Sequence, residues 1–214
     1  MDKLKSIIIY FLKHSSKTLG RTDLMKFLYC FEYYYVQTFG KQYSDLNFTR
    51  YKFGPHTSQV FEAVDELKQE EIISISRSLY SGGKQFFAHK LIHNSPKREY
   101  YKITPEAEHV AGFILYRLGN SNYEEIIDFS YSTPPMSTLL KSENKENTFF
   151  YGRRLNLKMS KKVFKMTREQ KENARLRMNK RVKVKGSDSE YYKDLLKTYK
   201  DFESTRRRVN ECLN

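Results

Sequence analysis

The sequence predicts a mainly α fold of the α+β class. A helical core carries a β-hairpin and is followed by a basic helical C-terminal extension. Three observations predict it. Apolar residues recur at helical spacing in three segments within the first 67 positions. From residue 72 to residue 103 the pattern changes to short strand-like runs, with Gly82-Gly83 as a turn signal. The charge is lopsided: residues 1–140 carry 17 basic and 15 acidic side chains, residues 141–214 carry 22 and 10. The body is close to neutral and the last third is strongly basic.

The first helix covers residues 3–13, where Leu4, Ile7, Ile8, Phe11 and Leu12 share one face. Gly20 breaks the pattern, and Thr22 or Asp23 can cap a second helix. Its stripe is Leu24, Phe27, Leu28, Phe31 and Tyr35, and it stops at Gly40. Residues 41–56 read as a connecting loop. Thr57 or Ser58 caps a third helix with Val60, Phe61, Val64 and Leu67 on its apolar face. Residues 72–75, 86–91 and 99–103 read as strands, the last two joined through Asn94-Ser95-Pro96. Thr104-Pro105-Glu106 is a helix start: a cap, a proline in the first turn and an acid near the positive end of the dipole. Ala107, Val110, Ala111, Ile114 and Leu118 give that helix its apolar face, Gly119-Asn120 ends it, and a short helix follows over residues 123–129. This order resembles a winged-helix module, with residues 57–70 as recognition helix and 79–98 as wing.

Ser132-Thr133-Pro134-Pro135 reads as a break, and residues 141–166 show no clean period. Thr167-x-x-Gln170 is a capping box opening a basic helix to about Arg181, and Ser187-x-x-Glu190 opens another toward Cys212. On the latter, Tyr192, Leu195, Tyr199, Phe202, Val209 and Leu213 fall at three/four spacings, interrupted by Arg206. That stripe can pack on the body or on a second copy of the chain. The expected division is a domain over residues 1–140 and a basic extension over 141–214.

Composition narrows the function. The chain holds two cysteines, Cys30 in an apolar run and Cys212 near the end, so neither a disulfide framework nor a zinc site can be built. A reducing, cytoplasmic setting fits. The apolar run over residues 7–12 is too short to span a bilayer and lacks a cleavage site, so a membrane is not an expected partner. Among the five histidines, His89 and His93 fall in an expected strand, where i and i+4 lie about 13 Å apart. No HExxH, P-loop or GxGxxG is present. Glu70-Glu71 and Glu124-Glu125 read as solvated helix ends. No catalytic residue, metal or cofactor is expected, and the chain is not read as an enzyme.

The segment from Arg21 to Leu67 carries the most information. Leu24-Met25-Lys26-Phe27-Leu28-Tyr29-Cys30-Phe31 and Gly40 stand where Panacea domains show LxKLLYFAxxxYLxxxG. Tyr51, Phe53, Gly54, Pro55 and His56 stand where those domains show WxYGPV, and Val60, Phe61, Val64 and Leu67 look like the helix that follows. Ser130-Tyr131 and Pro135-Met136 look like degenerate counterparts of a late Thr-His and Pro-Trp pair. The chain thus resembles the Panacea domain, the SocA-type antitoxin family of toxin–antitoxin modules. Tyr51 replaces the family tryptophan and His56 the valine. The basic tail lies largely outside the resemblance.

Read without the family, Gly54-Pro55 is a rigid corner: glycine reaches backbone angles other residues resist, and proline fixes the next φ. Tyr51 and Phe53 are expected to wedge that corner against the first helices. Successive helical residues point about 100° apart, so Tyr33, Tyr34 and Tyr35 are not expected to share one core. At least one should reach solvent or a partner. The resemblance implies binding and neutralisation of a cognate toxin, with Tyr33, Tyr34, His56, Tyr192, Tyr199 and Phe202 as candidate contacts. The alternative is a DNA-binding regulator of winged-helix type. Its contacts would be Arg153, Arg154, Lys158, Lys161, Lys162, Arg168, Arg175, Arg177 and Lys180, because the expected recognition helix is acidic.

Overall fold

The computed structural model describes residues 2–79, 85–92, 101–160, 167–180 and 187–201. They form two compact units, Met1–Lys161 and Lys162–Asn214. The fold is mainly α with two small antiparallel hairpins.

In the first unit, α1 (Asp2–His14), α2 (Arg21–Phe39) and α3 (Gln59–Gln69) occupy the predicted places. α2 is the centre. From Asp23 to Val36 every residue is buried except half-buried Tyr34. A helix buried all round, three charged residues included, lies inside the domain and not on its edge. It packs on α1, α4 (Pro105–Leu118), α5 (Tyr123–Tyr131) and both hairpins. Of Tyr33, Tyr34 and Tyr35, only Tyr34 therefore keeps part of its surface in solvent. Tyr33 and Tyr35 are buried, and Tyr34 lies between Phe113 and Phe129, with ring centroids 5.0 and 5.7 Å away. Neighbouring elements surround the helix, so residues pointing different ways all meet protein. Gly40 closes α2 at φ +71, its N–H donating to the Val36 carbonyl at 2.8 Å.

Residues 41–56, expected as loop, contain the hairpin β1 (Thr49–Tyr51) and β2 (Gly54–His56), paired Thr49 to His56 and Tyr51 to Gly54. A third segment runs along β1. The Arg50 N–H donates to the Arg153 carbonyl and the Gly152 N–H to the Arg50 carbonyl, both at 2.8 Å. The Leu155 N–H donates to the Phe48 carbonyl at 2.9 Å. Leu155 and Leu157 are buried there.

β3 (Ile73–Leu79), longer than the strand expected over 72–75, pairs with β4 (Gln85–Leu91) in a second hairpin, with Ile73 opposite Leu91 and Leu79 opposite Gln85. The turn between them and residues 93–100, including His93, lie outside the described residues. The third expected strand does not form over residues 101–103. Tyr101 instead donates its hydroxyl to Glu70 at 2.7 Å. Glu70 is therefore no free helix end: it and Glu66 also hold the Lys5 ammonium at 2.6 and 2.7 Å, tying α1 to α3.

Thr133 is the N-cap of a helix the sequence reading missed, α6 (Pro134–Glu146). Its two leading prolines sit where their missing N–H groups cost nothing. The boundary expected at 140 falls inside α6. Glu143 explains why: it is buried and accepts from the Arg50 guanidinium at 3.0 Å and from the Phe150 N–H at 2.9 Å. Burial alone would raise the Glu143 carboxyl; the Arg50 guanidinium and the Phe150 N–H outweigh it and hold the group below the ordinary carboxylate range.

The described part of the second unit is α7 (Arg168–Lys180) and α8 (Asp188–Asp201). Both start on the predicted boxes. Thr167 and Gln170 exchange bonds at 2.9 and 3.2 Å, as do Ser187 and Glu190 at 3.0 and 3.2 Å.

Candidate partner-binding site

Gly54 takes φ +91. A Cβ there would meet the Tyr131 ring at 2.4 Å and the Lys26 ammonium at 3.2 Å, so only glycine fits. Pro55 keeps its carbonyl free to accept from Lys26 Nζ at 2.9 Å. Lys26, on α2, and Tyr131, at the end of α5, therefore clamp the corner from beneath. Tyr51 and Phe53 do not wedge it inward, as expected; they stand outward, 54% and 55% exposed. The inner places are already filled by Lys26 and Tyr131, and the two-residue turn carries Phe53 into solvent.

A cavity of about 280 Å³ opens at this corner, lined by Lys26, Tyr51, Phe53, Gly54, Pro55, His56 and by Arg21, Met25 and Phe61 among others. Its floor is the Lys26 ammonium, on a residue only 2% exposed. Burial pushes this ammonium down to about 7, and the Arg50 charge adds to the effect. Burial and the Lys26 charge also lower His56.

The rim is a continuous row of ring contacts. Phe149 stacks on Tyr151 with centroids 5.4 Å apart, Tyr151 lies 6.4 Å from Tyr51, Tyr51 5.0 Å from His56, and His56 5.6 Å from Phe61. The Arg21 guanidinium then lies over Phe61 at 5.4 Å and over Phe87 at 4.2 Å. Phe149 and Tyr151 are 66% and 52% exposed. The row is an exposed aromatic face; Phe39, Phe113, Tyr116 and Tyr123 are exposed elsewhere as single rings outside it.

Tyr51, Phe53, Gly54, Pro55 and His56 are thus brought together, as the sequence reading grouped them. Tyr33 and Tyr34 are not; Tyr33 belongs to the core, and half-buried Tyr34 packs against it. Arg153 is exposed, its guanidinium 5.1 Å over Phe150, and Arg154 and Lys158 are exposed beside a separate surface cavity. Arg168, Arg175 and Arg177 lie exposed on α7, which Lys180 ends. Tyr192 is exposed on α8, which also carries Tyr199. Lys161, Lys162 and Phe202 lie outside the described residues. Sequence reasoning missed Lys26, Tyr131, Phe149 and Tyr151. Lys26 stood within the Leu24–Phe31 family block and Tyr131 within the Ser130-Tyr131 pair, but neither was read as a partner of the corner.

A family model for the SocA-like antitoxin, Panacea domain, matches residues 24–135, more than half of the chain. This chain belongs to the SocA-like Panacea antitoxin family. No curated protein and no solved structure matches it. The family segment holds Lys26, the Gly54-Pro55 corner and Tyr131; Phe149 and Tyr151 are added from beyond it. Among the described residues, no three His, Cys, Asp or Glu side chains gather as a metal site, and no helix is long and apolar enough to cross a membrane.

Proposed function

We propose that this chain is an antitoxin that neutralises a partner toxin by direct protein–protein contact, and that the contact is made by the aromatic row around the Gly54-Pro55 corner. The observation that carries the reading is that row: exposed Tyr51, Phe53, Phe149 and Tyr151 around a cationic pocket, within and beside the family segment. Tyrosine and arginine concentrate binding energy at interfaces. The test is co-expression with the neighbouring gene. The full chain restores growth, and Tyr51→Ala with Tyr151→Ala abolishes rescue while leaving the melting temperature unchanged. A non-toxic neighbour, or rescue by the double variant, overturns the reading.

A second reading, DNA binding that represses the operon, is favoured by the exposed arginines of α7. It is not favoured at α3, where Glu62 and Asp65 are the exposed acids and a phosphate-lined groove would repel them. A gel shift that survives truncation after Lys161 counts against tail-mediated binding.

A further inference from the structure

The cavity at the corner is assembled for an acid. None of its lining residues is acidic, while Arg21 and Lys26 are cationic and His56 can become so. Among the described residues, the Lys26 ammonium has one acceptor, the Pro55 carbonyl, although it carries three donors. A buried ammonium with one neutral partner is costly unless a counter-charge arrives. We propose that this pocket receives the carboxylate of an aspartate or glutamate side chain from the partner protein, with Lys26 as its ion-pair partner on the floor and Arg21 at the rim.

The row of rings argues for a side chain on a through-running segment and against a chain end. The pocket holds the middle members of the row, Tyr51, His56, Phe61 and Arg21. The row continues past it through Tyr151 and Phe149 at one end and Phe87 at the other. A segment lying along it covers rings on both sides of the acid, whereas a chain terminus leaves one side bare. Burial lowers the Lys26 ammonium and weakens its charge in the free protein. An arriving carboxylate restores that charge and gains a charge-assisted bond in a low-dielectric setting.

The proposal rests on the antitoxin reading only for the identity of the partner. Its test uses no toxin, so either idea can fail alone. The full-length ¹⁵N-labelled chain is titrated with three dipeptides: acetyl-Phe-Glu-amide, its isostere acetyl-Phe-Gln-amide, and acetyl-Gln-Phe with a free C-terminus. The expected result is that the Glu peptide shifts the Gly54 and His56 amides and binds about tenfold more tightly than the Gln peptide. In Lys26→Met the Glu peptide falls to the Gln level. Equal binding of Glu and Gln, no shift at these amides, or a carboxylate preference that persists in Lys26→Met overturns the proposal. So does tighter binding of the free C-terminus, which assigns the pocket to a chain end. The wild-type comparison of Glu with Gln needs no variant, so it decides even where Lys26→Met misfolds.

Discussion

At the scale of single residues, Gly54 shows what was legible and Lys26 what was not. A glycine before a proline after two aromatics announces a corner by itself, and the structure gives it φ +91. Lysine between Met25 and Phe27 reads as surface, because nothing local neutralises it. Its acceptor, the Pro55 carbonyl, lies 29 positions on and is out of sight of any local pattern. Gly54→Ala is therefore expected to cost about 2 kcal/mol or more, from the left-handed backbone and the overlap with the Tyr131 ring. Denaturant unfolding checks this; an unchanged midpoint means the ring yields freely. Glu32 gives a pH prediction. It is fully buried and accepts from the Tyr43 and Ser44 N–H groups at 3.0 and 2.9 Å and from the Ser44 hydroxyl. Burial outweighs those bonds and raises its carboxyl from 4.5 to about 7. A raised folded value means the stabilisation is complete below 4.5 and is lost as pH rises to about 7, while the unfolded chain ionises first. Glu32→Gln removes that loss. Its stability relative to wild type should climb between those two pH values and stay flat above them, and a flat difference throughout contradicts the assignment.

At the scale of elements, helices with local start signals were readable. Thr104-Pro105, Thr167 with Gln170 and Ser187 with Glu190 all cap where the sequence places them. α6 was not readable, because a glutamate fills one of its buried positions beside Met136 and Leu139. Glu143 suits the interior only once Arg50 is opposite it, 93 residues away in sequence. The β1–β2 hairpin was hidden similarly: three-residue strands carry no period to detect. A hydrogen-bond relay ties the α5–α6 junction to α2. The Thr133 hydroxyl donates to the Ser130 carbonyl at 2.7 Å, which leaves its oxygen to accept from the Tyr29 hydroxyl at 2.7 Å. The two ends of this relay should differ in cost. Tyr29→Phe leaves Thr133 still bonded and should cost about 1 kcal/mol, whereas Thr133→Val strands both a buried phenol and a carbonyl and should cost about 2–3 kcal/mol. Equal losses, or the reverse order, in a denaturation series rule out the relay as drawn.

At the scale of the whole molecule, the charge step near residue 140 and the structural step do not coincide. Basic residues begin to accumulate while the chain is still building the first unit, because the charge sits on exposed Arg153, Arg154 and Lys158 and the packing is done by Glu143, Leu155 and Leu157 between them. Composition registers the first set and is blind to the second. The compact unit ends at Lys161. A chain truncated there is expected to melt cooperatively at the temperature of the first transition of the full protein and to keep the aromatic row intact. A chain truncated after residue 140 loses Glu143 and leaves the Arg50 guanidinium buried without its partner, a deficit of about 3–5 kcal/mol. It also loses the segment pairing along β1 and uncovers Phe48. That deficit approaches the whole stability of an ordinary domain, so the shorter chain should show no cooperative transition by calorimetry. A sharp transition at the same temperature in both truncations would mean that residues 141–160 are mere decoration on a body complete without them, and that Phe149 and Tyr151 have no fixed place beside the corner.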